Sequence, residues 1–202
     1  MSIPVCKDKY HRYSFHYNDP DCLYKFEQIV YSLILNMNED FSREIVFLCV
    51  GTDRATGDCL GPLIGTRLKT LIPSAVTYGT LEHPAHATNL SEVMADISSC
   101  YKNPLVIAVD ACLGTPNSVG FINVKAESLR PGSALKKTLP EVGDFCISGV
   151  VNVGGFLEPI VLQNTRLHIV YKMANIIVEG LILSYSRFIQ SSPPTPGEHN
   201  HL

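Results

Sequence analysis

From Asp21 onward, apolar residues fall at Leu23, Phe26, Ile29, Val30, Leu33, Ile34 and Met37, the spacing of one helix face. Asn18-Asp19-Pro20 precedes this helix as a stop signal, after a polar and aromatic stretch over 1–20. The pattern then changes to a continuous apolar run, Ile45–Val50, which reads as a buried strand. A glycine-punctuated loop leads into a helix through Leu63, Ile64 and Leu68 to about Leu71, closed by Pro73. Residues Ala75–Leu81 read as a short strand, followed by H-P-A-H. Thr88 or Asn89 is placed to cap a helix whose Leu90, Val93, Met94 and Ile97 share a face. Leu105–Val109 is a second unbroken apolar strand, of the kind buried on both faces of a parallel sheet. A loop from Gly114 to Asn117 precedes a strand at Val119–Val124. Residues 130–144 have no period and read as a long functional loop. A strand at Phe145–Val153 and a helix from Val170 to Ile189 complete the pattern.

Helices alternating with strands predict an α/β fold, three αβα layers around a mostly parallel central sheet. The expected organisation is one domain over 1–190 and a disordered tail over 191–202, S-S-P-P-T-P-G-E-H-N-H-L. With 202 residues, 46% hydrophobic and 17% charged, the chain has the composition of a packed globule. A net charge of −3 gives no electrostatic footprint for nucleic acid. The N-terminus lacks a signal-type apolar segment, and the richest late run is interrupted by Glu179 and Gly180, so no membrane partner is expected. Seven cysteines without a C-x-x-C fit reduced thiols in a cytoplasmic protein.

Candidate chemistry centres on two carboxylates. Asp58 lies in G-D-C-L-G after the first strand, and Asp110 ends P-L-V-I-A-V-D. If the two strands are parallel neighbours, both carboxylates emerge on one sheet edge, where α/β folds place their ligands. Asp58 is either a helix N-cap or a loop carboxylate. As N-cap it would require Pro62 to donate the first intrahelical bond, which proline cannot do. Asp110, at the end of a buried strand, is a binding group or a partner for backbone N–H groups. Two such carboxylates sharing a dry site have divergent pKa values, so one can act as base on water while the other donates a proton. The same pair holds a divalent metal if a third ligand reaches it.

His83 and His86 are the nearest such ligands, but Pro84 between them favours a polar turn, and no metal is assigned. His168 lies in an apolar run and reads as a core histidine. Cys59 and Cys112 flank the aspartates, yet no histidine is placed to activate either thiol. Glycines 51, 57 and 61 match no nucleotide-binding fingerprint, and no cofactor is implied. Lys136 and Lys137 can neutralise a substrate carboxylate or form a solvated patch. Gly57, Gly61, Lys137 and His86 are the expected substrate contacts, beside Asp58 and Asp110 as the catalytic pair.

The run C-V-G-T-D-R-A-T-G-D-C-L-G-P-L-I-G-T-R-L resembles the signature of YyaC-type sporulation proteins. V-D-A-C-L-G, P-G-S-A-L-K-K-T-L-P-E-V-G-D and I-S-G-V-V-N-V-G-G-F extend the resemblance over most of 45–156. That family is similar, more distantly, to the spore germination protease, which degrades small acid-soluble spore proteins, and to the hydrogenase maturation endopeptidases. The resemblance implies the three-layer peptidase fold, a phosphorylase/hydrolase-like architecture, and maps the germination protease's catalytic pair onto Asp58 and Asp110. In the maturation endopeptidases the matching positions are metal ligands completed by a later histidine, which has no counterpart at a matching position here. The expectation is therefore a sporulation-associated endopeptidase-like protein acting on a spore protein in the cytoplasm of the sporulating cell or forespore. The alternatives are an inactive peptide-binding or regulatory protein of the same fold, and a metal-dependent hydrolase.

Overall fold

A computed structural model describes residues 12–130 and 141–193. Six strands form one sheet: β1 (Arg12–His16), β2 (Ile45–Cys49), β3 (Val76–Tyr78), β4 (Leu105–Gly114), β5 (Phe121–Lys125) and β6 (Phe145–Val153). Their order is β1-β5-β6-β4-β2-β3. β3, β2, β4 and β6 are parallel neighbours, while β5 runs antiparallel to both β6 and β1. The helices are α1 (Cys22–Met37), α2 (Leu60–Leu71), α3 (Leu90–Cys100), α4 (Glu158–Gln163) and α5 (Leu167–Ser191). The sheet is thus mixed but mostly parallel, with helices on both faces, as the alternating pattern predicts.

The two faces are covered unequally. On one, Phe47, Ile107, Val109, Ile122, Val124 and Ile147 pack beneath α1, α2 and α5 as the main core. Each fully buried Leu, Ile or Phe there contributes about 1.5–3 kcal/mol relative to exposure. α5 meets α1 closely because Gly180 has no side chain where the Phe26 ring sits. The Ser184 hydroxyl donates to the Glu27 carbonyl (3.2 Å) and to that of Gly180 (2.7 Å). On the other face, Val46, Leu48, Val106, Ala108 and Cys146 form a smaller core with Leu90 and Ile97 of α3.

Several boundaries differ from the pattern-based reading. β1 falls inside the stretch over 1–20 to which no element was assigned. β4 does not stop at Val109 but runs to Gly114, because β6 continues beside it, with a register shift between Cys112 and Leu113. α5 starts at Leu167, and its 25 residues are apolar enough to cross a membrane by length and composition. Its buried stripe, Val170, Met173, Ala174, Ile177, Val178, Leu181 and Phe188, packs in the main core. Residues 131–140, most of the long loop, and 194–202 of the tail lie outside the described residues. At the end of that loop, Asp144 accepts from the Val106 N–H (2.8 Å) and pairs with Arg43 (2.6 Å), fixing the entry to β6.

Candidate active site

Asp58 is delivered by a loop that folds back on itself. The Val50 N–H donates to the Val109 carbonyl (2.7 Å), carrying the β2–β4 pairing one residue past β2. Gly51 then adopts φ +141°, where a side chain would strike the Asp58 carbonyl. The Thr52 N–H donates to that carbonyl (3.1 Å) and closes the loop. α2 begins at Leu60, and Asp58 sits before it in a 3-10 turn, Gly57–Cys59, without a side-chain capping bond. The loop reading of Asp58, rather than the N-cap reading, describes this geometry.

Asp110 lies one residue beyond the last β2–β4 pair, Cys49↔Val109, and is still in register with Ser148 of β6. One carboxyl oxygen accepts from the Ala111 N–H (2.7 Å). Asp58 and Asp110 line the same cavity, of about 760 Å³. Burial, and then the charge of Asp58, push the Asp110 carboxyl well above its ordinary 3.8, against the Ala111 hydrogen bond. Burial also raises Asp58, but the Thr52 N–H and the nearby His86 pull it back. Of the two carboxyls, Asp110 is pushed further toward its protonated form, by burial and by the charge of Asp58. Such a pair can abstract a proton from water while polarising a carbonyl.

The rest of the cavity floor is a polar half of the second sheet face. Asp110 (β4), Ser148 (β6), Asn123 (β5) and Ser14 (β1) stand in one register row across four strands. The next row along is Ala108, Cys146, Lys125 and Arg12. Asn123 is 1% exposed, and its Oδ1 accepts from Ser14 Oγ (2.5 Å) and Arg12 Nη2 (3.2 Å). Burial raises the Cys112 thiol, partly countered by Ser148, Lys125 and Arg12. No histidine lines this cavity among the described residues, so none is placed there as a base for Cys112, whose thiol stays raised on balance.

α4 forms a wall through Glu158, Pro159, Leu162 and Gln163. Asn152 at the end of β6 anchors it, donating to Thr165 Oγ1 (3.1 Å) and the Val161 carbonyl (3.4 Å).

The other expected contacts are placed differently. Gly57 and Gly61 are buried and do not line the cavity; Gly57 abuts Leu162 and Thr165, and Gly61 abuts the Val50 backbone. Their small size serves close packing of the loop. His86 lines a second, smaller cavity, of about 490 Å³, and is close enough to influence Asp58. H-P-A-H is not the polar turn its proline suggests: Ala85 bridges Val50 in parallel, its carbonyl accepting from the Gly51 N–H (2.8 Å). Asn89 ties the segment, accepting from the His86 N–H (2.8 Å) and donating to the Pro84 carbonyl (2.9 Å). Lys136 and Lys137 lie outside the described residues. His168 is exposed at the start of α5, not a core residue. Among the described residues no three His, Cys, Asp or Glu side chains are grouped to hold a metal. Sequence reasoning missed Arg12, Asn123, Lys125 and Ser148. Their signal was the polar alternation in R-Y-S and N-V-K, and a serine inside an apolar strand.

The family described as "Protein of unknown function (DUF1256)" matches residues 14–180. The uncharacterized protein YyaC of Bacillus subtilis (strain 168) is 49% identical over 159 residues, 78% of this chain and 78% of that protein. Among solved structures, the NiFe hydrogenase maturation protease HycI of Thermococcus kodakarensis KOD1 is similar with a TM-score of 0.46. It is 19% identical and covers 73% of this chain and 99% of its own.

Proposed function

We propose that this chain, which belongs to the DUF1256 family, is a peptidase-like hydrolase using Asp58 and Asp110 as its acid/base pair. The observation that carries this reading is one cavity holding two carboxylates, with Asp110 pushed upward by burial and by the charge of Asp58. In the proposed reaction, ionised Asp58 takes a proton from water as the oxygen attacks the amide carbonyl. Protonated Asp110 donates to the carbonyl oxygen, giving a neutral tetrahedral diol. The proton on Asp58 then passes to the departing nitrogen, the C–N bond breaks, and Asp110 recovers its proton as the new carboxyl forms. The motifs resembling sporulation proteins support a spore protein as substrate, small acid-soluble spore proteins first, in the cytoplasm of the sporulating cell.

Small acid-soluble spore proteins incubated with the purified chain and followed by intact mass test this. Defined cleavage is expected, falling by about 100-fold or more in Asp58→Asn and in Asp110→Asn. Undiminished cleavage in both variants overturns the acid/base pair. Binding without cleavage identifies a non-catalytic peptide-binding protein instead.

A further inference from the structure

The carboxylate pair lies at the β2–β4 end of the cavity, with Arg54 on the same loop as Asp58, and a second pair of cations stands across the sheet toward β1. Arg12 and Lys125 are register partners on β1 and β5. Both line the cavity, and both oppose the upward shift of the Cys112 thiol, so their charge reaches its floor. Glu127 pairs with Lys125 (3.2 Å). Arg12 forms no ion pair among the described residues. Its guanidinium is held by Asn123 Oδ1 (3.2 Å), which is fixed in turn by Ser14. Arg130, also on the lining, is paired with Glu141 (2.8 Å). At the β1–β5 end two cations, Arg12 and Lys125, therefore stand against the single carboxylate of Glu127 and leave a place for one more negative group. A guanidinium steadied on one N–H still offers others, in the planar geometry that suits a carboxylate.

We infer that Arg12 and Lys125 form a subsite for a carboxylate of the polypeptide bound in this cleft. The subsite rests on the proposed reading of the cavity as a peptide cleft, and it fixes where the carboxylate must lie. Strands are about 4.8 Å apart, and two residues along a strand span about 6.7 Å. Lys125 is two strands and one such step from Asp110, and Arg12 is three strands and one step away. The separations are about 12 and 16 Å, the length of about four or five extended residues. A substrate carries its carboxylate about that far from the scissile bond, as an acidic side chain or as its own C-terminus.

The test reads binding without turnover. Three acetylated pentapeptides are titrated into the ¹⁵N-labelled full chain: Ala-Ala-Glu-Ala-Ala amide, Ala-Ala-Gln-Ala-Ala amide, and Ala-Ala-Gln-Ala-Ala with a free C-terminus. The Arg12 Nε–H and Asn123 side-chain amide signals are followed by NMR. Saturable shifts are expected with a carboxylate-bearing peptide, about tenfold tighter than with the neutral one. The glutamate peptide and the free-terminus peptide distinguish the two sources. Arg12→Gln and Lys125→Gln should each remove most of the tenfold difference, and Arg12→Lys should retain part of it. Equal shifts with all three peptides, no saturable shift with any, or a preference unchanged in both Gln variants overturns the subsite. Loss of cleavage in the aspartate variants does not bear on this measurement, so the two readings fail separately.

Discussion

The second face of the sheet is two surfaces on one scaffold. Beneath α3, the strands present Val46, Leu48, Val106 and Ala108, buried and apolar. A few ångströms away, β6, β5 and β1 present Ser148, Asn123, Lys125 and Arg12 to the cavity, with Ser14 bonded behind Asn123. What differs is the cover. Where α3 packs, an unpaired polar group would be costly, and none is found there among the described residues. Where no helix packs, polar side chains bond to each other across strands and stay available to a ligand. Asp110 stands on the border between the two surfaces, which gives it both a dry environment and an open side.

Substitutions on either side of that border should affect the molecule in different ways. Leu48 is fully buried, and Leu48→Ala should cost about 2–5 kcal/mol, read as a lowered denaturant midpoint at unchanged slope. A cost near zero would mean that α3 covers nothing essential. Asp110→Asn should act in the opposite sense and more weakly. The folded-state pKa of Asp110 is raised above 3.8, so the folded chain binds more protons than the unfolded one between the two values. Stability is therefore lost as pH rises through that window. The asparagine variant, freed of that penalty, should melt higher than the parent at neutral pH, and the two should converge below the ordinary carboxylate range. A lower melting temperature at neutral pH would mean that the carboxylate is well solvated and the site is not dry. Ser148→Ala should change stability least, by about 1 kcal/mol or less, since it removes only a hydroxyl beside the Cys112 thiol on the cavity floor. A loss as large as that of Leu48→Ala would show the polar half to be core in disguise.

The apolar half was legible in the amino-acid order, and the polar half was not. Runs such as Ile45–Val50 and Leu105–Val109 announce buried parallel strands by themselves, and the loop between β2 and α2 announces Asp58. Asp110 was visible as a carboxylate ending an apolar run, although β4 carries on past it because β6 lies alongside. The row joining Asp110, Ser148, Asn123 and Ser14 depends on which strands become neighbours. That β5 inserts antiparallel between β1 and β6 follows from tertiary packing, not from any local period. β1 itself is short, half-polar and at an edge, where alternation is weakest as a signal. His168 was misassigned because its apolar neighbours belong to a helix whose first turn is exposed.

The pairing of β1 with β5 also bears on the order in which the molecule comes apart. Ser14 meets Asn123 across a sequence separation of 109 residues, so this contact closes a long loop and gains nothing from local structure. Among the described residues β1 is an edge strand, held through β5 on one side. Native-state hydrogen exchange should find its amides opening before those of β4, which lies between two neighbours in the sheet. Arg12 leaves with that opening while both aspartates stay in place. An opening in that order would release the proposed carboxylate subsite while the fold stays intact.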